Sequence, residues 1–179
     1  SPTGNLVIPV QDGKGKTWGL QVVYHDPAIK KRKGRDKDFC PAGLAKKGHF
    51  FLIGSPMAGS VALLCEGFAT GASLHEATGL PVVVAFDAGN LLPVLQRISP
   101  TGAVVICADN DHRTQVTRGT NPGIDKARNA ADLIGCGVAY PTGIEGTDWA
   151  DALKEWGEGA ARKIEREILK GARYVQATG

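Results

Sequence analysis

The octapeptide Val104-Val105-Ile106-Cys107-Ala108-Asp109-Asn110-Asp111 decides the fold class of this 179-residue chain. Its first five residues are apolar without polar alternation, which is typical of a strand buried on both faces of a sheet. Three other runs have the same character: Val61–Cys65, Pro81–Phe86 and Gly137–Tyr140. Because right-handed crossovers join such strands, their order predicts a doubly wound α/β domain with a mostly parallel, four-stranded sheet flanked by helices.

The segments between and after these runs carry helix signals. Pro122–Ile134 begins with Pro and is followed by Gly135, which are favoured start and stop residues of a helix. The predicted helices are Thr70–Thr78, Asn90–Ile98, Pro122–Ile134 and a terminal amphipathic helix within Asp148–Lys170. The sequence therefore supplies crossover helices as well as strands.

The first third of the chain has a different pattern. Asn5–Val10 and Trp18–Tyr24 are rich in β-branched and aromatic residues and flank a turn rich in glycine and lysine. This arrangement predicts an antiparallel hairpin. We therefore expect three parts: a basic β extension (1–54), an α/β core (55–145) and a C-terminal helical segment that packs on the core (146–179).

Composition excludes several classes of protein. Hydrophobic residues make up 42% of the chain and charged residues 22%, values typical of globular proteins. No apolar run reaches the roughly 18–20 residues that a membrane span requires, so we expect no membrane partner. The four cysteines have no C-x₂-C spacing, which disfavours a zinc ribbon. We predict reduced thiols and a cytoplasmic location.

The net charge of +3 conceals two oppositely charged regions. Residues 1–54 contain ten Lys/Arg and four Asp/Glu, whereas residues 55–179 contain eleven and fourteen. Basic residues are densest in one short segment, at Lys30, Lys31, Arg32, Lys33, Arg35 and Lys37. This basic segment is either a solvated loop or a contact for the phosphate backbone of a nucleic acid. Arg113 is a further candidate for a phosphate contact.

Acidic residues follow two of the predicted strands at once. Glu66 comes after the strand Val61–Cys65, and Asp109 and Asp111 come after the strand Ala103–Ala108. Ligands of open parallel sheets bind beyond the carboxyl ends of the strands. A single acid at such a position often only begins a turn or caps a helix. Three together favour a divalent cation between them, and oxygen ligands suit Mg²⁺ or Mn²⁺.

Leu64–Gly71 and Val104–Asp111, taken together, resemble the Toprim domain. Bacterial-type primases, type IA and II topoisomerases, OLD-family nucleases and RecR proteins share that domain. Its signature is a Glu after the first strand and an Asp-x-Asp after a later one. The preceding segment Leu6–Gly54 resembles the region before the Toprim domain in primases of conjugative plasmids, phages and integrative elements.

The resemblance implies a role for each acid. Glu66 would be a general acid/base or a metal ligand, and Asp109 and Asp111 would hold Mg²⁺ or Mn²⁺. Asp148 and Asp151 would add a contact to a second metal, although capping of the last helix explains them equally well. Many primases carry an Asp four residues after the Glu, where this chain has Thr70. One metal is therefore the safer expectation.

The function that the resemblance implies is that of a DNA primase, a nucleotidyltransferase that acts in DNA replication. The reaction would be Mg²⁺-dependent joining of ribonucleoside triphosphates into an RNA primer on single-stranded DNA. The zinc-binding or helicase domains of a larger mobile-element protein are the expected partners. Two alternatives stay open: DNA cleavage by a Toprim nuclease or topoisomerase-like domain, and a non-catalytic, RecR-like binding module.

Overall fold

The computed structural model describes residues 4–55, 61–98 and 102–177, with side chains described up to residue 172. The strands form two sheets. A three-stranded antiparallel sheet, the small sheet, contains β1 (Leu6–Gln11), β2 (Thr17–Val23) and β3 (Lys37–Cys40). A five-stranded sheet, the large sheet, contains β4 (Phe51–Ile53), β5 (Ala62–Cys65), β6 (Val82–Val84), β7 (Val104–Cys107) and β8 (Gly137–Ala139).

The large sheet has the strand order β4-β6-β5-β7-β8, and its last four strands in this order are parallel. Alternate residues of one strand enter two different cores: Val105 and Cys107 pack on one face, Val104 and Ile106 on the other. This double burial explains why the strands lack polar alternation. The predicted mostly parallel α/β sheet is confirmed.

A fifth strand joins the sheet that we predicted to have four. Strand β4 pairs antiparallel with β6, although it lies on the N-terminal side of the proposed division at residue 54. A strand of three residues is too short to show a period that reveals its partner. The division of the chain at residues 54 and 145 therefore stays a proposal, with one strand of the large sheet supplied from before the first boundary.

The small sheet shares a core with the large sheet. Ile8 and Val10 of β1 are fully buried and belong to the same cluster as Leu63 of β5 and Trp149. Phe39 of β3 stacks edge to face on Phe86, with ring centroids 5.8 Å apart. Pairs of this kind add roughly 0.5–1.5 kcal/mol beyond the area that they bury. The predicted hairpin is therefore present, and its inner face is held against the α/β layers.

The helices cover both faces of the large sheet. They are α1 (Pro27–Lys33), α2 (Phe68–Thr78), α3 (Leu91–Ile98), α4 (His112–Arg118), α5 (Pro122–Ile134), α6 (Trp149–Trp156) and α7 (Ala160–Ala177), with a 3₁₀ turn at Ala88–Asn90. Helices α2, α6 and α7 pack on one face, and α3 and α5 on the other. Among the described residues, no helix is long and apolar enough to cross a membrane.

The C-terminal segment differs in detail from the prediction. It contains two helices, because Gly157 has a positive φ of 56° and ends α6. Ile164 and Ile168 of α7 are buried in the core, as their spacing on one helix face predicts. Helices α1 and α4 were not predicted, since neither has a buried residue that would give it an apolar period.

Candidate active site at the carboxyl edge of the large sheet

Two of the predicted acids leave the large sheet side by side. Cys65 of β5 and Cys107 of β7 are paired across the parallel ladder, and both are fully buried. Glu66 follows the first directly, and Asp109 follows the second after one residue. The register of the two strands therefore brings these carboxylates to one edge of the sheet. We call Glu66, Asp109 and Asp111 the acidic edge.

Glu66 is a partly buried acid with an unsatisfied oxygen. Its Oε1 atom is buried and has no hydrogen-bond partner within the described part of the chain. Burial raises the pKa of Glu66, and the negative charges of Asp111 and Asp87 raise it further. Lys126 and the N–H of Ala88 oppose the rise. The carboxyl group is thus held where its charge is poorly stabilised.

The pKa of Asp109 is raised as well. Its Oδ1 atom is also buried and has no partner in residues 4–55, 61–98 and 102–172. Burial is the main cause that raises the pKa of Asp109 to about 8, and the charges of Glu66, Asp148 and Asp111 add to it. Lys37 is close enough to oppose the shift. The charges of Asp148 and Lys37 are therefore near enough to influence the pKa of Asp109.

Asp111 is held by the beginning of helix α5. Its Oδ2 atom accepts a hydrogen bond from the N–H of Gly123 at 3.2 Å, and its own N–H donates to Oδ1 of Asn121 at 3.1 Å. The N-terminus of a helix favours an anion, because its free N–H groups and dipole are positive there. In the structure it receives a carboxylate of the chain itself, which suits the positive end of a helix dipole.

Asp148 and Asp151 form a helix cap. Oδ1 of Asp148 accepts from the N–H of Asp151 at 2.8 Å, and Oδ2 of Asp151 accepts from the N–H of Thr147 at 3.1 Å. The capping alternative considered from the sequence is therefore present in the structure. Asp148 additionally contributes negative charge to the acidic edge, whereas nothing described connects Asp151 with it.

The chemistry of the acidic edge suits a hard divalent cation. Two buried carboxylate oxygens have no hydrogen-bond donor, and neighbouring negative charges raise both pKa values. A cation would relieve both costs, and oxygen donors alone match Mg²⁺ or Mn²⁺. In the described residues, however, no three His, Cys, Asp or Glu side chains stand close enough together to hold a metal as they are. Side-chain rotation would be needed, and Thr70, which is buried on α2, adds no charge.

The basic segment divides into two kinds of residue. Lys33 donates to Oδ2 of Asp38 at 2.7 Å, and Arg35 forms an ion pair with the same carboxylate. The hydroxyl of Tyr24 donates to it as well, at 2.5 Å. Lys30, Lys31 and Arg32 lie on the last turn of α1, and Lys37 lies on β3. Arg113 of α4 is exposed and donates to the carbonyl of Glu145 at 3.2 Å.

Two residues near the site were missed by sequence reasoning. Asp87 lies just beyond the end of β6, where the strand-end rule that selected Glu66 would also have found it. It pairs with Lys46 at 2.8 Å. Asn90 is buried, and its amide bonds the N–H of Gly48 and the carbonyls of His49 and Ala85. No sequence signal marks this contact between the β3–β4 connection and the end of β6.

The fold and the acidic edge define a Toprim-type α/β domain, and comparison with known proteins agrees. A Toprim domain model matches residues 61–159, more than half of the chain. The chain is 37% identical over 140 residues to a DNA primase TraC of Escherichia coli, which covers 75% of this chain and 12% of that protein. A second DNA primase TraC of the same species is 36% identical over 139 residues, 75% of this chain and 9% of the relative. The chain belongs to the Toprim domain family, as its sequence predicted, and spans about a tenth of these relatives.

Solved structures with the same fold are primase domains. The RNA polymerase domain of Mycobacterium tuberculosis primase DnaG has a TM-score of 0.60 at 19% identity, covering 93% of this chain and 55% of that one. The Aquifex aeolicus primase zinc-binding and RNA polymerase domains have a TM-score of 0.61 at 21% identity, with coverages of 93% and 40%. These likenesses extend over the small sheet as well as the large one, and they confirm the predicted fold.

Proposed function

We propose that this chain is the Toprim catalytic domain of a DNA primase, which joins ribonucleoside triphosphates into RNA primers on single-stranded DNA. One observation carries the proposal: Glu66 and Asp109 present buried, unpartnered carboxylate oxygens at the ends of paired strands. The 37% identity to a protein named DNA primase TraC supports it. So does the likeness in fold to a DnaG catalytic domain whose structure was solved bound to single-stranded DNA, at a TM-score of 0.58 and 16% identity.

Each residue of the acidic edge has a chemical task in this reaction. Asp109 and Asp111 would hold Mg²⁺ or Mn²⁺, which when bound supplies positive charge for the phosphates and lowers the pKa of an attacking hydroxyl. Glu66 serves as the proton acceptor or as a further ligand, because its raised pKa brings it nearer to neutral pH. Asp148 adds negative charge that strengthens cation binding. Asp151 serves only the cap.

The basic residues supply the nucleic-acid contact. Lys30, Lys31 and Arg32 form a positive group at the end of α1, and Lys37 extends it towards Asp109. This path would guide the phosphate backbone of a template strand into the acidic edge, with an affinity that falls as salt rises. Lys33 and Arg35 shape the segment through Asp38, and Arg113 adds a weaker contact. The larger protein would come from a mobile element and bring zinc-binding or helicase domains.

The compartment is proposed from the cysteines. Cys40, Cys65, Cys107 and Cys136 are all free thiols, and burial raises the pKa of Cys65 and Cys107. Protonated, buried thiols of this kind are inert and need no disulfide partner. Their reduced state agrees with a cytoplasmic protein.

The test is primer synthesis with Asp109→Asn and Glu66→Gln. Labelled ribonucleoside triphosphates, a single-stranded DNA template and Mg²⁺ are supplied to the full-length protein with and without each change, because the 179-residue chain alone is expected to have weak or no activity. We expect each change to lower primer yield at least about 100-fold, because ligands and proton acceptors act in the transition state. Asp132→Asn, an exposed acid on α5, is the matched control and should leave the yield unchanged. Wild-type yield from Asp109→Asn would contradict the proposal.

The two alternative functions give different results in the same series. A nuclease or topoisomerase-like domain nicks plasmid DNA with Mn²⁺ and makes no primer. A non-catalytic module shows neither activity and binds no Mg²⁺ or Mn²⁺. The geometry gives the topoisomerase alternative no support at Tyr24, whose hydroxyl donates to Asp38, or at Tyr140, whose hydroxyl accepts from Arg128 at 3.3 Å.

A further inference from the structure

Asn121 lies at the centre of a hydrogen-bond network behind the acidic edge. Its side chain is only 4% exposed, and it is one of five buried polar or charged residues among those that the structure describes. A buried amide requires partners for its donor and its acceptor. All of its side-chain hydrogen bonds go to residues around Asp111 or to the start of α5. Asn121 therefore connects these two parts of the chain.

The two halves of the amide bind two different parts of the loop. The Nδ2 group donates to Oδ1 of Asn110 at 2.9 Å and to Oε1 of Gln115 at 3.3 Å. The Oδ1 atom accepts from the N–H of Asp111 at 3.1 Å and from the N–H of Ile124 at 3.4 Å. One side chain therefore joins the middle residue of Asp-x-Asp, its last residue, helix α4 and helix α5.

Asn110 in turn is fixed from the opposite side. Its N–H donates to the carbonyl of Thr147 at 2.6 Å, and its Nδ2 donates to the carbonyl of Pro141 at 2.8 Å. The loop Asp109–Asp111 is thus held between Asn121 on one side and the connection from β8 to α6, which contains Pro141 and Thr147, on the other. Both acids flank Asn110 directly, so a shift of Asn110 would move Asp109 and Asp111 together.

The helix start also packs closely on the loop. A Cβ atom at Gly123 would overlap the carbonyl oxygen of Asp109 and approach Oδ2 of Asp111 at 3.4 Å. Only a residue without a side chain permits this approach, which places the N–H of Gly123 on Asp111. Asn121 is two residues earlier and begins the helix, so it sets where that N–H lies.

We infer that Asn121 is a positioning residue that holds Asp109 and Asp111 in the geometry required to bind a divalent cation. This inference rests on the proposed function, in which both acids are metal ligands. Asn121 itself touches neither metal nor substrate; it acts through Asn110 and through the N–H groups of Asp111 and Ile124. Residues that orient ligands in this way typically change metal affinity by 10- to 100-fold when replaced.

The test separates positioning from helix capping by comparing two variants. Asn121→Ala removes every side-chain bond, whereas Asn121→Ser keeps a hydroxyl, which is a good cap for α5. A single hydroxyl cannot replace the amide towards both Asn110 and Asp111. We therefore expect Asn121→Ser to melt at a higher temperature than Asn121→Ala but to bind Mn²⁺ about tenfold more weakly than wild type, measured by electron paramagnetic resonance on the 179-residue chain. Asn129→Ser, an exposed position of the same helix, is the control.

Three results would overturn the inference. They are Mn²⁺ affinity of Asn121→Ser within twofold of wild type, loss of affinity only in proportion to lost thermal stability, and absence of Mn²⁺ binding by the wild-type chain. Mn²⁺ binding that Asp109→Asn abolishes, together with a tenfold loss in Asn121→Ser, supports it. Failure of the proposed function is a separate result, because the wild type would then bind Mn²⁺ at the acidic edge and make no primer.

Discussion

Asp38 in the small sheet and Asp109 at the large sheet have opposite environments. Three donors surround the carboxylate of Asp38: Lys33, Tyr24 and Arg35, which together hold the pKa of Asp38 well below its usual range. Asp109 has a buried oxygen with no donor among the residues that the structure describes, and burial and neighbouring acids raise its pKa to about 8. The carboxylate of Asp38 thus has hydrogen-bond donors in a basic region, whereas that of Asp109 lies among other acids and has a buried oxygen without a described donor.

The difference indicates which charged side chains are not already used in ion pairs within the chain. Asp38 uses the charges of Lys33 and Arg35 within the small sheet, so the positive charge available to a ligand is on Lys30, Lys31, Arg32 and Lys37. At the large sheet the charges of neighbouring acids raise the pKa values of Glu66 and Asp109, and in the proposed function a metal ion would relieve this repulsion. Groups with strongly shifted pKa values cluster at functional sites, which supports that proposal.

The largest expected effect tests how tightly the acidic edge is packed compared with the small sheet. Gly123→Ala places a Cβ against the backbone of Asp109, whereas Gly13→Ala in the β1–β2 turn meets nothing within 4 Å. We expect Gly123→Ala to destabilise the chain by about 1–3 kcal/mol, even though alanine is the better helix former. Thermal unfolding should show a loss of several degrees, with Gly13→Ala nearly unchanged.

Equal melting temperatures for Gly123→Ala and Gly13→Ala would contradict this description of the edge. Gly123→Ala could also weaken Mn²⁺ binding by the folded chain, because the N–H of Gly123 donates to Asp111. Such a loss, measured well below the melting temperature, would show that the start of α5 positions Asp111. Circular dichroism of both variants provides the check that the helices are retained.

An intermediate effect is expected on the pH dependence of stability, which should have opposite signs for Asp109 and Asp38. The pKa of Asp109 is raised in the folded chain, so its ionisation costs stability as pH rises from near 4 to about 8. Asp109→Asn should therefore raise the melting temperature of the metal-free chain at pH 8. It should leave the melting temperature unchanged near pH 4. Scanning calorimetry in EDTA measures this, at roughly 2–4 °C for each kcal/mol.

Asp38→Asn is the matched variant in the small sheet. Because the folded pKa of Asp38 is lowered, its carboxylate stabilises the chain above its ordinary pKa, and that stability is lost as pH falls below about 4. Asp38→Asn should thus lower the melting temperature at pH 7, and this difference should shrink in acid. Parallel pH profiles for the two variants would contradict the comparison between Asp38 and Asp109.

The smallest expected effect distinguishes the two kinds of basic residue. Lys31 is exposed on α1, whereas Lys33 is paired with Asp38. Lys31→Ala should weaken binding of a fluorescent single-stranded oligonucleotide a few-fold and reduce the slope of log affinity against log salt by roughly one. Lys33→Ala should change that slope much less. An equal change of slope in both variants would show that pairing with Asp38 does not withhold Lys33 from nucleic acid.

Sequence reasoning succeeded where local chemistry and period agree. Helix α5 begins at Pro122 and ends at Ile134, as predicted, because Pro presets the first helical turn and Gly135 takes the left-handed conformation at the end. The parallel strands and the strand-end acids were also predictable, since both follow from unbroken apolar runs. Helix α4 was missed because its one apolar residue, Val116, is exposed, so the helix has no buried face. Strand β4 was not assigned to the large sheet, because three residues are too few to show a period.

The candidate site residues stay a prediction, and the structure adds how they are arranged. Glu66, Asp109 and Asp111 were named from their positions after two strands, and the structure places them on one edge of the sheet. Asp151 was named as well, but its carboxylate is used in the cap of α6. Asn121 directly precedes the predicted helix Pro122–Ile134 and was not among the predicted site residues. Its buried bonds to Asn110 and Asp111 arise from the packing of α5 against the loop, which no local pattern encodes.

The sequence by itself determined the α/β class, the Toprim signature and the residues that carry its acids, because apolar strands and strand-end carboxylates are local features. Only the tertiary structure decided that the pKa values of Glu66 and Asp109 are raised. Burial and mutual repulsion raise the pKa of Asp109, and these depend on which strands are neighbours. The same holds for Asp38, whose three donors are Tyr24 just after β2, Lys33 of α1 and Arg35 in the turn before β3. Electrostatic free energy depends on distance and solvent exposure in space, and neither is written in the order of residues.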